Sequence, residues 1–444
     1  MKIKNRNVLV FGLGVSGRGA INLLLKNKAK VFLFDENLKF YDENKNVEFV
    51  RVLDEEFLKK VDLIVVNPSV SVCNSNLILA RTMNKKIIGE IELAYLFKKG
   101  KIISVTGTNG KSTTVSLIYH ILNFCKQNSF LLVGNIGTSF AQKVSEDKKA
   151  NFVCEVSSFQ LETIDKFNSE IACFLNFSEN HLDRHFSIKE YLMVKSRIFE
   201  NQTEKDYAIL NFDDEKVKDV KTKAKKFYFS LSSVVKGTFF CGEKLYFFDK
   251  ECEEILCEKD IKLLGKHNKQ NVLCAVLVCK LLGIENENIR SAVSCFYGLN
   301  HRLKFVRKIG KICFYNDSKS TTVSSTKTAL ECFENDSVLL ILGGSDKNCD
   351  YSLLFPINNC VKKFFLIGEV KEKIKSVLEQ NGFLNFLMFD DFQTMVSACL
   401  ESARHENLNV VLLSPASASF DMFKNFEHRG EVFENLVGLI DEKD

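Results

Sequence analysis

A chain of 444 residues suggests about three domains of roughly 150 residues each. Its 45% apolar content is ordinary for a globular protein. Lys and Arg total 61 against 56 Asp and Glu, and the resulting +5 is too mild to select nucleic acid as a partner.

No run of 18 apolar residues occurs, which argues against a membrane span. The opening Met1-Lys-Ile-Lys-Asn-Arg-Asn7 leads into a strand pattern without the apolar core of a signal peptide. The 15 cysteines are scattered, none in Cys-x-x-Cys, and read as reduced thiols of a cytoplasmic protein.

Residues 1–92 alternate strand and helix patterns. Asn7 to Gly12 is a strand, and Gly12-Leu-Gly-Val-Ser-Gly17 is a Gly-x-Gly-x-x-Gly turn opening a helix to about Lys26. Val31 to Asp35 is the next strand, ending in an acid 18 residues after Gly17, and Val61 to Asn67 is a third, closed by Pro68. This spacing is that of a dinucleotide-binding fingerprint. It makes Gly14, Val15, Ser16, Gly17 and Asp35 candidates for holding a diphosphate or a nucleotide ribose. A purely structural β–turn–α unit with a solvated Asp35 stands as an equal alternative.

The second block opens on Lys101-Ile-Ile-Ser-Val-Thr-Gly-Thr-Asn-Gly-Lys-Ser-Thr113. An apolar run, Ile102 to Val105, feeds a Gly-rich turn, and a helix pattern follows to Phe124. The backbone of Gly107, Thr108, Asn109 and Gly110 and the helix N-terminus form a phosphate cradle. Lys111 adds positive charge, and Ser112 or Thr113 offers a hydroxyl to magnesium. The first glycine of the longer common phosphate loop is replaced here by Val105.

Apolar runs at Phe130–Asn135, Phe152–Val156, Ile171–Asn176 and Tyr207–Asn211 suit strands buried on both faces of a parallel sheet. Residues 226–256 read as a hairpin-rich insert about Gly242. Helix patterns resume at Asn268–Leu282 and Asn288–Phe296. The third block starts near Asn300, with strands at Lys311–Asn316, Val338–Gly343, Phe364–Gly368 and Val410–Ser414. The expected fold is α/β in three consecutive domains: Rossmann-like over 1–92, P-loop ATPase-like over 93–299, and Rossmann-like over 300–444.

Polar groups gather at strand ends. Glu155-Val-Ser-Ser-Phe-Gln160 follows the strand after the phosphate loop, where an acid can reach magnesium. Asn176-Phe-Ser-Glu-Asn-His-Leu-Asp-Arg-His185 holds two of the seven histidines, with His181 a metal-ligand candidate and Asp183 its partner. Lys195 follows on a helix and by itself is an ordinary lysine of an amphipathic face. Gly265-Lys-His-Asn-Lys-Gln-Asn271 opens another helix, and Gly298-Leu-Asn-His-Arg302 precedes the third block. Asn316-Asp-Ser-Lys-Ser-Thr321, Gly343-Gly-Ser-Asp-Lys347 and Ser414-Pro-Ala-Ser-Ala-Ser-Phe-Asp421 are three strand ends suited to a small anion.

This set resembles the Mur ligase family, which builds the peptide stem of bacterial cell wall, and within it the D-glutamate-adding branch. Thr106–Ser112, Gly265–Asn268 and His301-Arg302 carry the wider resemblance, which spans nearly the whole chain. Glu155–Leu161, Asn316–Lys319, Ser414–Asp421 and Lys424-Asn-Phe-Glu427 carry the narrower one.

The resemblance implies D-glutamate addition to UDP-N-acetylmuramoyl-L-alanine with ATP and Mg2+, by a monomer. It implies a catalytic set of Lys111, Glu155, His181, Lys195 and Lys319. Ser112 and Glu155 would hold one magnesium, and His181 with a carbamylated Lys195 a second. Asn268, Asn271, Arg302 and Asp317 would join the phosphate loop on ATP. The Gly14–Gly17 turn and Asp35 would hold the UDP. Asn135, Ser157 and Ser158 would hold the muramoyl-alanine end, and Thr321, Lys347, Ser414 and Phe420 the D-glutamate.

Three positions depart from the family pattern: Asn180 for an acid, Asn67-Pro-Ser69 for Ser-Pro-Gly, and Thr322 for a frequent asparagine. A Mur ligase for another amino acid and a folate polyglutamylating ligase share the phosphate loop. The latter needs no UDP site, so the Gly12–Gly17 turn argues against it. A nicotinamide-dependent oxidoreductase leaves Lys111, Glu155 and His181 without a use, and a non-catalytic nucleotide sensor would consume no ATP.

Overall fold

The computed structural model describes residues 3–126, 130–179, 184–346 and 349–440. Asn180, His181, Asp183 and Lys347 lie outside them. The chain divides into two compact units, Met1–Ile261 with His267–Phe296, and Lys262–Lys266 with Tyr297–Asp444. Among the described residues no helix is long and apolar enough to cross a membrane.

The first unit holds two sheets. Strands β1 (Asn7–Phe11), β2 (Lys30–Phe34), β3 (Val47–Phe49), β4 (Leu63–Val66) and β5 (Ile87–Gly89) form an all-parallel sheet in the order β3-β2-β1-β4-β5. The order reverses between β1 and β4, so a crevice opens at their carboxyl ends. Strands β3 and β5 were not expected. Three residues are too few for an alternation signal, and only pairing with β2 and β4 makes them strands.

The second sheet comprises β6 (Ile102–Thr106), β7 (Phe130–Gly134), β8 (Asn151–Glu155), β9 (Ile171–Phe174), β10 (Tyr207–Asn211), β11 (Lys225–Ser230), β12 (Gly237–Cys241), β13 (Lys244–Phe248) and β14 (Cys252–Cys257). Its order is β14-β13-β12-β11-β10-β9-β6-β8-β7. Strand β6 lies between β9 and β8, parallel to both and wholly buried, so its carboxyl end opens at the sheet's switch point. Residues 226–256, expected as an insert, instead continue this sheet. Strand β11 pairs parallel with β10, and β12 to β14 follow as an antiparallel meander turning at Gly242.

The two sheets share one buried core, to which the helices Val15–Lys26, Glu90–Phe97 and Phe140–Glu146 contribute. Buried Glu92 accepts the backbone N–H groups of Asp165, Lys166 and Phe167. Glu90 accepts that of Ala141, and burial pushes its carboxyl up to about 7. One helix thus ties the first sheet to the second.

The second unit is a sheet of β15 (Lys304–Ile309), β16 (Ile312–Asn316), β17 (Val338–Gly343), β18 (Val361–Ile367), β19 (Phe386–Phe389) and β20 (Val410–Leu413). Its order is β15-β16-β20-β17-β18-β19, parallel except for β15. The returning β20 brings its loop between those of β16 and β17. Strands β15 and β19 are half-exposed edges; β15 mixes polar and apolar residues, and β19 is a four-residue apolar run too short to mark a strand by itself.

Candidate functional site

The phosphate loop starts where β6 ends. Gly110 sits at φ +80°, and a Cβ there would stand 2.3 Å from Asn271 Oδ1, so only glycine fits. The helix Lys111–Phe124 begins at Gly110 with no side chain capping its N-terminus, leaving its first N–H groups to the loop. Lys111 Nζ donates to Gly107 O at 2.9 Å and Thr108 O at 2.8 Å. Thr108 exchanges hydrogen bonds with the Ser178 backbone, and Asn109 with the Asn176 side chain, which fixes the loop against the end of β9. Asn271 accepts from Thr114 and donates to Asn268 at 3.0 Å, so both asparagines stand beside the loop. Ser112 and Thr113 lie on the first helical turn.

Glu155 ends β8 with 2% of its surface exposed. Its Oε1 accepts from Asn135 Nδ2 at 2.9 Å, while its buried Oε2 has no hydrogen-bond partner among the described residues. A buried carboxylate oxygen without a partner is costly, and it suits a hard cation such as magnesium. Ser157 caps the short helix Ser158–Leu161 through a capping box with Gln160. Ser158 Oγ lies 3.1 Å from His185 Nε2. Among the described residues no three of His, Cys, Asp and Glu are grouped to hold a metal.

Lys195 was bland in the sequence, and its placement is not. It is 2% exposed, its Nζ donates to Gly107 O at 2.8 Å, and the ammonium lies 4.8 Å from the Tyr191 ring centre. Burial, and then the charge of Lys111, bring its pKa down to about 7, while Glu155 opposes the shift. The structure thus brings Lys111 and Lys195 onto one carbonyl and Asn135 onto Glu155.

At the carboxyl ends of β1 and β2, Asp35 accepts the N–H of Leu13 at 2.8 Å and of Asn37 at 2.9 Å. Its carboxylate therefore shapes the glycine turn. A Cβ on Gly17 would come 2.0 Å from Gly12 O, which is why the helix packs so close to β1. Gly14 caps that helix, with Val15 and Ser16 on its first turn. An open cleft of about 660 Å³ lies at this edge, lined by Asp35, Lys39, Phe49 and Arg51 among others. Lys39 and Arg51 carried no signal in the sequence, being isolated cations with apolar neighbours on both sides.

In the second unit, Asp317 is 2% exposed. It accepts Leu303 N–H at 3.1 Å and Ser414 Oγ–H at 2.7 Å, and burial raises its carboxyl to about 6. Asn316 Nδ2 donates to Gly430 O and Glu434 Oε1 and lies 2.9 Å from His301 Nδ1. Lys319 Nζ lies 5.6 Å from the centre of the Phe426 ring, and its N–H bonds to His301 O. Thr321 N–H bonds to Lys319 O, Thr322 caps the helix Val323–Leu330, and Phe420 is exposed. Arg302 lies close enough to Asp317 for its charge to oppose the upward shift.

Sequence reasoning gave Arg429 no role. It is 2% exposed and donates to carbonyls of Ser318, Gly343, Ser417 and Ala418, and to Ser318 Oγ. One guanidinium therefore joins the loops after β16, β17 and β20. An arginine on a helix face announces none of this.

The chain matches the Mur ligase MurD-like N-terminal domain over residues 6–89 and the Mur ligase middle domain over residues 105–279. It is 39% identical to the UDP-N-acetylmuramoylalanine–D-glutamate ligase of Caldicellulosiruptor bescii, covering 98% of each chain. It is 40% identical to the enzyme of that name from Koribacter versatilis, covering 100% of both. A crystal structure of MurF ligase from Thermotoga maritima in complex with ADP superposes with a TM-score of 0.57 at 15% identity, over 98% of this chain and 96% of that one, a likeness of fold. The phosphate loop, the three sheets and full-length kinship at this identity place the chain in the Mur ligase family, on its UDP-N-acetylmuramoylalanine–D-glutamate ligase branch.

Proposed function

We propose that this chain is an ATP-dependent amide ligase that adds D-glutamate to UDP-N-acetylmuramoyl-L-alanine in peptidoglycan precursor synthesis. Residues 1–92 bind the UDP end, 93–299 bind ATP, and 300–444 bind the amino acid. The observation that carries the chemistry is the cluster at the phosphate loop: Lys111 and Lys195 on Gly107 O, and Glu155 with one buried oxygen unpartnered. Kinship at 39–40% over the full chain supports D-glutamate as the amino acid.

A carboxylate at neutral pH is a poor electrophile, so the L-alanine carboxylate first takes the γ-phosphoryl group of ATP. D-Glutamate's amine attacks the acyl phosphate, loses a proton, and the tetrahedral intermediate expels phosphate to leave the amide. Catalysis here is positioning and charge neutralisation. The Gly107–Gly110 backbone and Lys111 hold the ATP phosphates, with Thr113, Asn268, Asn271, Arg302 and Asp317 contributing to the nucleotide. Magnesium, when bound, neutralises phosphate charge; Glu155 Oε2 and the Ser112 hydroxyl are the oxygens available to it. His181 and a carbamate on Lys195 would hold a second metal ion. An amine with a pKa of about 7 is substantially neutral at physiological pH, as reaction with CO2 requires.

Asn135, Ser157 and Ser158 bind the muramoyl-alanine end. Thr321, Lys347, Ser414 and Phe420 line the amino-acid pocket, with Lys319 completing the catalytic set. Fifteen free cysteines suit residence in the reducing cytoplasm.

The test is phosphate release from ATP with UDP-N-acetylmuramoyl-L-alanine across a panel of amino acids. D-Glutamate alone should support turnover. Equal turnover with L-lysine or diaminopimelate, or none with D-glutamate, would overturn the reading.

A further inference from the structure

Arg184 lies within the histidine-bearing segment, next to His185, and is absent from the roles above. Its side chain is 11% exposed and stacks on Phe159, with Cζ 4.1 Å from the ring centre. Nε and Nη2 donate to the Glu162 carboxylate at 3.2 and 2.7 Å. Nη1 donates to Pro68 O at 2.8 Å and Nη2 to Val70 O at 3.0 Å. One planar fork therefore grips two backbone carbonyls after β4 and a carboxylate after β8.

Both ends are anchored beyond the arginine. Glu162 caps the helix Ser158–Leu161, and Arg197 holds the carbonyls of Leu161, Glu162 and Ile164. At the other end, Asn67 N–H bonds to Phe11 O and Asn67 Oδ1 accepts from Ser69. The Asn67 side chain packs so closely that a Cβ on Gly12 or Gly14 would come within 2.8 Å of it. Arg184 thus connects the glycine turn of the first sheet to the Ser157–Ser158 turn of the second.

We propose that Arg184 is a positioning residue that sets the spacing between the uridine diphosphate end and the acyl end of the substrate. The inference rests on the ligase reading. Binding energy gathered at a remote nucleotide speeds the chemistry only if the two ends are held at a fixed distance. A misplacement of about 1 Å can cost about 10²-fold in rate. Arginine suits the task because its fork fixes direction as well as distance, which a lysine point charge cannot do. Glu162 keeps the guanidinium from being a buried, unpaired charge.

The test compares wild type, Arg184→Ala, Arg184→Lys and Glu162→Gln as full chains. Two quantities are measured: kcat/KM for UDP-N-acetylmuramoyl-L-alanine, and the inhibition constant of UDP alone. Arg184→Ala should lower kcat/KM about 10²-fold while the UDP constant stays within about threefold. Arg184→Lys should recover only part of the loss, and Glu162→Gln should shift the same ratio in the same direction by about tenfold, which keeps the test open should Arg184→Ala not fold. A merely structural role would weaken both quantities by one factor, and that result, or wild-type kcat/KM in the variants, would overturn the proposal. Wild type without D-glutamate-dependent phosphate release would instead overturn the ligase reading.

Discussion

Replacing Lys195 by methionine should stabilise the protein while abolishing its activity. The lysine is 2% exposed, and its ammonium is brought from 10.5 to about 7, chiefly by burial. Such a depression destabilises the folded state wherever the group is charged both folded and unfolded. At about 1.4 kcal/mol per decade, the penalty approaches about 5 kcal/mol. Methionine forfeits the bond to Gly107 O, worth about 1 kcal/mol, and about 1 kcal/mol more for imperfect packing. A net gain of about 2–4 kcal/mol remains.

The sign with pH follows from proton binding. The unfolded chain keeps the proton up to about pH 10.5 and the folded chain releases it near pH 7. Wild-type stability therefore rises with pH between these values. The advantage of Lys195→Met is full below pH 7, shrinks by about 1.4 kcal/mol per pH unit above it, and reverses a little above pH 9.

Scanning calorimetry of the full chain at pH 6, 7.5 and 9 in CO2-free buffer reads this directly, on the transition of the first unit. The variant should melt several degrees higher at pH 6 and lose most of that lead by pH 9. A variant less stable than wild type at pH 6, or a gain indifferent to pH, would refute the idea of a desolvated ammonium. Most large buried side chains behave oppositely when replaced, so the outcome discriminates.

Lys111→Ala should cut phosphate release by about 10²–10³ with the fold intact, since it removes a phosphate-facing donor; near-normal turnover by the folded variant would remove Lys111 from the mechanism. Gly110→Ala combines φ +80° with a Cβ 2.3 Å from Asn271 Oδ1, so ADP affinity by calorimetry should fall at least tenfold; unchanged affinity would mean the loop relaxes freely. Asp317, raised from 3.8 to about 6 by burial, destabilises the second unit by about 3 kcal/mol once ionised. That penalty grows as pH rises from about 4 to 6, and Asp317→Asn should flatten the slope of stability against pH over that window; an unaltered slope would assign the titration elsewhere.

Much of the architecture was legible because it rests on local signals. Continuous apolar runs marked β6, β8, β9, β10, β17 and β20, strands buried on both faces. Glycines at positions 12, 107 and 110 announced turns with positive φ. The order Gly-x-x-Gly-Lys-Ser after a strand and before a helix was enough to place the glycine turn between β6 and the helix Lys111–Phe124. Strands β3, β5, β15 and β19 were not legible, since their conformation comes from a neighbour's ladder and not from their own pattern. Residues 226–256 looked like an insert because pairing of β11 with β10 leaves no trace in composition.

Side-chain environment was decided only by tertiary structure. Lys195 and a solvated helix lysine look alike in one dimension. Burial beside Gly107 O, Lys111 and Tyr191 separates them, and that depends on contacts 88 residues away in the chain. Arg184 and Arg429 are likewise ordinary letters whose roles come from carbonyls that meet only when strands align. Asp35 lies where the spacing put it, yet the fold directs its oxygens to Leu13 and Asn37 N–H groups. Short-range backbone preference is encoded residue by residue; desolvation and hydrogen-bond partnership are properties of the packed whole.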